Sequence, residues 1–451
     1  MSVLKYAKMI KNKGTVFMKL NKNEMSLYMS VYSHYKEMII GGRIQAGAKL
    51  PSIRRCAQEL KLSRTTIETA YMCLAADGYI ISKPQSGFYV TDIAFATPET
   101  EAEKPHENKS AIRYDFSSAD VDRESFDFNL WRRYIKSALR QDERLLSYGE
   151  PQGEAELREA LAQYIGEKRN VICSTDNIVV GAGVQSLLHI LCVVIDGEKR
   201  ISFKNESFGH GLAIFRDHGW ETVIGNDTAP VIYASPSHIT QWGDVMNVKQ
   251  RLELIHSAVK NNSIIIEDDY NNEFCYFNRP TPSLQSLAGG KDVVYIGTFS
   301  RLLLPSIRIS FMVLPERLMK KYREIAPLYN QTASKTEQIA LCRFIRDGHL
   351  GAQIRKLRKL YSTKTKMLAD TIEEVFGNEV SVSPAENGIY VIASFKTMLT
   401  PDELRKIVLK SEISIITTKG KKGEVNVILS GTSVNSEHFK EAMLILKKII
   451  I

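Results

Sequence analysis

Two short segments near the amino end carry hydrophobic residues at helical spacing, and each begins directly after a serine. Their apolar faces follow the spacing i, i+3, i+4 and i+7, which is typical of amphipathic helices. Ser52 and Ser63 are favoured N-cap residues for them. The faces comprise Ile53, Cys56, Ala57 and Leu60, and then Ile67, Ala70, Tyr71 and Leu74. The pattern predicts two helices joined by a tight turn, a helix-turn-helix.

A short alternating segment follows the second predicted helix. Asp77-Gly78 ends the helical pattern, and residues 79–82 and 87–90 alternate as two small strands around residues 83–86. This arrangement predicts a β-hairpin. An upstream helix ends at Gly41-Gly42, so the sequence predicts a winged helix-turn-helix domain over residues 25–93.

Beyond residue 113, apolar strand patterns alternate with helical patterns. Buried strands are predicted at 177–180, 263–266 and 293–296, and helices at 154–167 and 186–194. Such alternation predicts an α/β domain with a mainly parallel central sheet over residues 113–451. Ligands of these domains bind at the carboxyl ends of the strands. Residues 94–112 are polar, contain two prolines and lack an apolar period, so they are predicted to be a linker.

The positive charge of the chain is concentrated in the first domain and the basic segment 1–24 before it. Residues 1–93 carry fourteen Lys and Arg against six Asp and Glu, a net charge of +8, whereas the whole 451-residue chain carries +9. A positive domain joined to a nearly neutral one indicates a polyanionic partner for the first domain. A solvated lysine face is the alternative, which charge alone does not exclude.

Cysteine usage and hydropathy limit the cellular setting. The six cysteines are scattered without a CxxC pair, so no metal site is expected. The chain has no run of about 18 apolar residues that would span a membrane, and its amino terminus lacks the apolar core of a signal peptide. A reduced, cytoplasmic protein that does not enter a membrane is expected.

The segment between Lys49 and Gly87 resembles the GntR-type winged-helix domain. The shared pattern comprises residues 49–54, 62–66, 78–80 and 86–87. The first turn of the second helix carries hydroxyl groups and a forked cation, which suit base edges and phosphates in a major groove. The resemblance implies a double-stranded DNA operator as partner, contacted by Arg54, Ser63, Arg64, Thr65, Thr66, Gln85, Ser86 and Gly87.

The second domain resembles the pyridoxal-phosphate aminotransferases of fold type I. The resemblance rests on residues 267–270, on residues 295–308 and on the segment 148–153. It implies that Asp268 pairs with the pyridine nitrogen, that Tyr270 bonds the ring hydroxyl and that Arg308 binds the phosphate. The further cofactor-binding residues implied are Phe208 stacking on the ring, Gly183, Val184 and Gln185 at a helix amino terminus suited to phosphate, and Tyr148 reaching the phosphate of the neighbouring subunit's cofactor.

Arg301 stands where this resemblance places the Schiff-base lysine. A guanidinium group stays protonated at physiological pH, so it serves neither as nucleophile nor as base. The domain is therefore expected to have no catalytic residue and no enzymatic activity. Two further departures from the family pattern are Val184, at a position that usually holds a hydroxyl, and Glu424, at the position of a carboxylate-binding arginine. Three alternatives remain: the pocket binds pyridoxal phosphate non-covalently, binds another small anion, or binds nothing.

Together the two domains resemble the MocR (GabR-type) subfamily of bacterial regulators. The resemblance implies a homodimeric transcription regulator that senses pyridoxal phosphate or an amine- or amino-acid-like effector in an inactive aminotransferase-like domain. Two other functions stay open. One is an active pyridoxal-phosphate-dependent aminotransferase with an accessory DNA-binding domain, and the other is a ligand-independent regulator with a degenerate pocket.

Overall fold

The computed structural model divides the chain into two compact units, residues 1–108 and 109–451. Within the predicted basic segment 1–24, strands β1 (Tyr6–Lys11) and β2 (Gly14–Lys19) pair antiparallel. The predicted linker 94–112 lies outside the described residues except for Ile112, so its boundaries stay a prediction. The structure describes residues 6–11, 14–19, 26–91, 112–118, 121–122, 125–238, 240, 244–274, 281–385, 388–421 and 423–450.

The first unit contains the predicted helix-turn-helix and hairpin. Its elements are α1 (Leu27–Ile40), α2 (Ile53–Leu60), α3 (Arg64–Ala76), β3 (Ile80–Lys83) and β4 (Gly87–Val90). The two strands pair antiparallel, with Ile80 opposite Val90. The fold of a winged helix-turn-helix is thereby confirmed for this unit.

Local chemistry explains where the two short helices begin. The Ser52 hydroxyl accepts a hydrogen bond from the backbone N–H of Arg55 (3.3 Å), and the Ser63 hydroxyl accepts one from Thr66 (3.1 Å). Each serine satisfies a backbone donor that the helix itself leaves unpaired. Lys61 ends α2 in the left-handed conformation, with φ of 53°, and this reversal of the chain sets α3 at an angle to α2.

The second unit is built on a seven-stranded sheet. Its strands in chain order are β6 (Ile178–Gly181), β7 (Arg200–Phe203), β8 (Glu221–Ile224), β9 (Val231–Ala234), β10 (Ile264–Asp268), β11 (Val293–Thr298) and β12 (Ser310–Val313). Their spatial order is β6-β12-β11-β10-β9-β7-β8. Only β12 runs antiparallel to its neighbours, so the mainly parallel sheet that the sequence predicts is confirmed.

Helices cover both faces of this sheet. Ile178 and Val180 of β6 pack into one hydrophobic core, whereas Val179 between them packs into another. Burial on both faces explains why these strands are continuously apolar. The helices of this unit are α4 (Phe128–Leu139), α5 (Asp142–Leu145), α6 (Ala155–Arg169), α7 (Val184–Val194), α8 (Gly209–Asp217), α9 (Val248–Asn261), α10 (Leu284–Leu287), α11 (Glu316–Ile325), α12 (Lys335–Arg346), α13 (His349–Phe376), α14 (Pro401–Lys410) and α15 (Phe439–Ile450).

A smaller antiparallel sheet forms the carboxyl-terminal part of the second unit. Its strands β13 (Val380–Pro384), β14 (Val391–Lys396), β16 (Ile416–Lys419) and β17 (Glu424–Leu429) lie in the order β13-β14-β17-β16. Strand β5 (Tyr114–Asp115) pairs in parallel with β15 (Ile413–Ser414). None of the helices in the described parts of the chain is both long enough and apolar enough to cross a membrane.

Candidate functional site

The first turn of α3 presents an exposed polar surface. Arg64 and Thr65 are exposed, whereas Ile67 on the opposite side is buried in the core. The Thr66 hydroxyl lies 2.8 Å from the Ser63 hydroxyl, so both of these predicted contact residues also fix the start of the helix. Arg54 is exposed in the first turn of α2. The predicted contact residues of the two helices therefore lie at the helix amino termini, where the backbone also favours phosphate.

The turn of the hairpin is shaped by two residues with positive φ. Gln85 has φ of 58° and Gly87 has φ of 111°, a value that a side chain rarely adopts. Next to them, the ammonium groups of Lys83 and Lys49 lie 4.7 Å and 5.7 Å from the centre of the Tyr89 ring. The sequence analysis assigned no DNA contact to these lysines, although Lys49 belongs to the shared GntR-type pattern and Lys83 precedes the wing residues. They add positive charge beside Ser86 at the wing tip.

A cavity of about 420 Å³ lies at the carboxyl ends of the strands in the second unit. This is the edge of the sheet where the strand pattern predicts a ligand. Seven of the nine predicted cofactor-binding residues contribute to it, and Gly183 and Tyr148 do not. The lining residues are Val184, Gln185, Phe203, Lys204, Asn205, Ser207, Phe208, Tyr233, Ser235, His238, Asp268, Tyr270, Thr298, Ser300, Arg301, Arg308 and Tyr390.

Asp268 is the last residue of β10 and is only 9% exposed. Its Oδ2 accepts a hydrogen bond from the Tyr233 hydroxyl at 2.5 Å, whereas its Oδ1 is buried without a hydrogen-bond partner. Burial raises the pKa of Asp268 to about 6, against the opposing effect of the bond from Tyr233. A buried acceptor that lines a cavity and lacks a donor suits a ligand that brings a donor of its own.

Arg308 and Gly183 lie together at the start of α7. Arg308 donates from Nη2 to the carbonyl of Ala182 at 3.3 Å. Gly183 has φ of 91°, and a methyl group added there would lie 2.6 Å from that Nη2 atom. The glycine thus leaves room for the guanidinium group beside a helix amino terminus, which is an arrangement that favours anions. Val184 and Gln185, the first residues of the helix, line the cavity.

Aromatic side chains form one wall of the cavity. Phe208 stacks on Tyr233 with ring centres 5.4 Å apart and an angle of 25° between the planes. Phe203 stacks on the same tyrosine at 5.0 Å. Tyr233 was not among the residues that the sequence singled out, although it stands near the end of an apolar strand. Its ring stacks on both phenylalanines, and its hydroxyl group donates a hydrogen bond to Asp268.

Arg301 lies half-buried against Tyr270. Its guanidinium carbon is 4.7 Å from the centre of the tyrosine ring, and Nη1 lies 3.3 Å from Oδ1 of Asn271. Burial by itself lowers the pKa of Arg301, but the phenols of Tyr270 and Tyr390 raise it, and the net pKa lies above its ordinary value. Arg301 is therefore a permanent cation in the wall of the cavity.

Lys204 is the one lysine among the described residues that line the cavity. It follows strand β7, and its ammonium group forms an ion pair with Asp227 at 2.5 Å. The sequence reasoning missed it. Lys335, by contrast, is bonded to the carbonyls of Ser147 and Tyr148 and does not line the cavity.

Tyr148 and Glu424 lie outside the cavity. Tyr148 is 88% exposed, so its predicted contact with a neighbouring subunit's cofactor stays untested within one chain. Glu424 begins strand β17 and is not among the described residues that line the cavity. The position of Glu424 relative to a ligand carboxylate therefore stays a prediction.

Directly behind the cavity, Arg169 forms a buried ion pair with Asp269. The arginine donates from Nε and Nη2 to the two carboxylate oxygens at 2.7 Å and 3.0 Å. The Tyr295 hydroxyl donates to the same carboxylate at 2.7 Å. Because Asp269 lies between Asp268 and Tyr270 in the chain, this pair fixes the backbone that presents both residues to the cavity.

The described residues fit a pyridoxal-phosphate-like group held without a covalent bond. The unpartnered Oδ1 of Asp268 suits a protonated ring nitrogen, and Arg308 beside Gly183 suits a phosphate. Arg301 leaves no amine at the position the resemblance gives to the Schiff-base lysine. Among the described residues, no cluster of three or more His, Cys, Asp or Glu side chains is arranged to hold a metal ion.

Both units match known protein families. Residues 27–90 match the gntR family of bacterial regulatory proteins, and residues 115–432 match aminotransferase classes I and II. The HTH-type transcriptional regulator YdeL of Bacillus subtilis (strain 168) is 37% identical over 393 residues, 82% of this chain and 84% of that protein. The probable rhizopine catabolism regulatory protein MocR of Rhizobium meliloti is 27% identical over 419 residues, 84% of each chain. The chain belongs to the MocR-type HTH transcriptional regulators.

The fold of the second unit of this MocR-type regulator also occurs in solved aminotransferases. The Pyrococcus horikoshii kynurenine aminotransferase, solved with PMP, superposes with a TM-score of 0.64 at 19% identity. The match covers 76% of this chain and 91% of that enzyme. At this identity the likeness shows the fold alone, and the chemistry of the regulator must be argued from its own cavity.

Proposed function

We propose that this MocR-type regulator senses a small anionic ligand, pyridoxal phosphate or a close relative, in a second unit that does not catalyse amino transfer. The observation that carries the proposal is the convergence of Asp268, Arg308 and Arg301 on one cavity. Asp268 offers an acceptor for a ring nitrogen, and Arg308 offers a site for phosphate. Arg301 occupies the place of the nucleophilic lysine, so the ligand is bound and released rather than converted.

The first unit supports binding to a specific DNA site. We propose that Arg64, Thr65 and Thr66 at the start of α3 contact bases and phosphates in the major groove. Arg54, Ser63 and the wing residues Gln85, Ser86 and Gly87 contact the sugar-phosphate backbone. Lys49 and Lys83 beside the wing add to the electrostatic part of the affinity, which makes binding sensitive to salt.

Dimerisation is supported by exposed apolar residues on two adjacent segments of the second unit. Leu146 and Tyr148 are each 88% exposed, and Leu328 and Tyr329 are 79% and 58% exposed. Lys335, a few residues after the second segment, donates to the Tyr148 carbonyl at 3.4 Å and brings that part of the chain beside the first segment. Large exposed apolar side chains of this kind mark interaction surfaces. A second copy of the chain is the partner proposed for this surface.

The proposal is tested by coupling between ligand and DNA. A binding sequence is first selected from a random pool of duplexes with the full-length protein, and its affinity is then measured by fluorescence anisotropy at fixed salt. Saturating pyridoxal phosphate should change that affinity by about fivefold or more, in either direction. Identical affinity with and without saturating ligand would overturn the sensing function, and failure to enrich any sequence would overturn specific DNA binding.

An active aminotransferase is the second candidate, because Lys204 places an amine at the cavity. Its side chain is held in an ion pair with Asp227, and this pair would have to break before the lysine could attach to a cofactor. The test incubates the protein with pyridoxal phosphate and a panel of amino acids and follows the appearance of keto acids. Turnover that is lost in Lys204→Met would establish an enzyme, whereas the proposed function predicts no turnover in either protein.

A further inference from the structure

Two arginines line the cavity, and neither has an acidic partner in the part of the chain that the structure describes. The polar contacts of Arg301 with described residues are with neutral groups: the amide oxygen of Asn271 at 3.3 Å, the ring of Tyr270 at 4.7 Å and the hydroxyl of Tyr390. Arg308 donates to the carbonyl of Ala182 at 3.3 Å. Among the described residues, neither guanidinium group forms an ion pair with a carboxylate.

The remaining charges of the cavity do not neutralise this pair. Asp268 is the one acidic side chain among the described lining residues, and the proposed function pairs its carboxylate with the protonated ring nitrogen of the ligand rather than with an arginine. Lys204 is already neutralised by Asp227. Burial lowers the pKa of His238 to about 4, and the nearby positive charge of Arg301 adds to that shift. The cavity therefore has two positive charges that a bound ligand must compensate.

The two guanidinium groups are anchored at different places. Arg308 lies against Ala182 and Gly183, which follow strand β6, whereas Arg301 lies against Tyr270 and Asn271, which follow strand β10. These strands are three positions apart in the sheet, so the two arginines are held by different elements. A ligand phosphate at Arg308 would leave the positive charge of Arg301 uncompensated, which favours a ligand with a second anionic group.

We propose that Arg301 selects a ligand with a second acidic group, a phosphorylated pyridine that carries a carboxylate at the ring position where pyridoxal phosphate carries its aldehyde. This inference rests on the proposed function, which assigns the phosphate to Arg308 and the ring nitrogen to Asp268. A planar guanidinium group donates two parallel hydrogen bonds to a carboxylate. The same cation repels an ammonium group, so the charge at that one ring position sets the affinity.

The test compares three ring phosphates that differ only at this position. They are 4-pyridoxic acid 5′-phosphate, 4-deoxypyridoxine 5′-phosphate and pyridoxamine 5′-phosphate, which carry a negative, a neutral and a positive group there. None of them has an aldehyde, so covalent attachment to a lysine does not contribute. Calorimetry on the full-length protein should give the acid an affinity about tenfold to a hundredfold higher than the neutral compound, with the amine weakest.

Two arginine variants separate the effect of Arg301 from general charge effects. In Arg301→Gln the three affinities should become similar, whereas Arg317→Gln, which removes an exposed arginine of α11, should keep the wild-type order. Equal affinities in the wild-type protein, or tightest binding of the amine, would overturn this inference and leave the proposed function standing. If none of the three compounds bound although pyridoxal phosphate did, this inference alone would be overturned, whereas failure of pyridoxal phosphate to bind as well would overturn both. If Arg301→Gln does not fold, the order of the three affinities in the wild-type protein tests the inference by itself.

Discussion

The buried ion pair between Arg169 and Asp269 gives the sharpest prediction for the stability of the second unit. Both side chains are nearly inaccessible to solvent, at 7% and 2% exposure. In Arg169→Met, the Asp269 carboxylate would keep the hydrogen bond from Tyr295 but lose its counter-ion. Removing one partner of a buried pair destabilises a protein by about 3–5 kcal/mol, because the other charge stays buried. We expect the free energy of unfolding of the second unit to fall by that amount.

Denaturant unfolding followed by tryptophan fluorescence measures this loss directly. All three tryptophans, Trp131, Trp220 and Trp242, belong to the second unit, so the signal does not include unfolding of the DNA-binding unit. The matched control is Arg346→Met, which breaks an ion pair of 2.6 Å between exposed side chains and should cost less than about 1 kcal/mol. Equal effects of the two substitutions would refute the reasoning.

Three further predictions concern DNA and ligand binding. Arg64→Ala should weaken binding to the selected operator by about 1–3 kcal/mol in fluorescence anisotropy. Arg55→Ala on the neighbouring helix is the control. Unchanged affinity of Arg64→Ala would exclude a base contact. Arg301→Lys should bind pyridoxal phosphate covalently, giving a yellow protein and a borohydride-stable adduct by mass spectrometry, and a colourless variant in excess cofactor would contradict the assignment of this position. Because the Asp268 pKa is raised to about 6, a protonated ring nitrogen must displace a proton from the carboxyl below that pH, so calorimetric affinity should fall as the pH drops through 6. The ligand phosphate titrates in the same range, so the affinity of Asp268→Asn is measured over the same pH values as a control. The difference between the two affinity curves isolates the effect of the Asp268 carboxyl. Parallel curves would show that Asp268 does not titrate.

Local sequence signals were sufficient for the features that depend on neighbouring residues. Ser52 and Ser63 cap the helices they precede, because an N-cap needs only a hydroxyl and the next turn of backbone. Asp268 lies at the edge of the sheet, because an apolar strand that ends in a carboxylate exposes that group at its carboxyl end. The meeting of Asp268, Arg301 and Arg308 followed from a parallel sheet, whose strand ends converge on one edge.

Other parts of the site depend on packing between distant segments. Tyr390, beside the smaller sheet, reaches the cavity only because that sheet folds against the strand ends, and no local pattern near residue 390 indicates this. Lys204 is neutralised by Asp227, a partner 23 residues away. The predicted contact of Tyr148 with a ligand involves a second copy of the chain, so one chain leaves that prediction untested.

The central claim, that the second unit of this MocR-type regulator is a non-covalent sensor, is tested most directly by titrating the full-length protein with pyridoxal phosphate. Calorimetry and absorbance are recorded on the same samples. The account predicts saturable heat with one ligand per chain, together with the absorbance of the free compound, because Arg301 cannot form a covalent bond to it. Absence of heat, or an absorbance band of a covalent adduct that survives borohydride reduction and gel filtration, would contradict it.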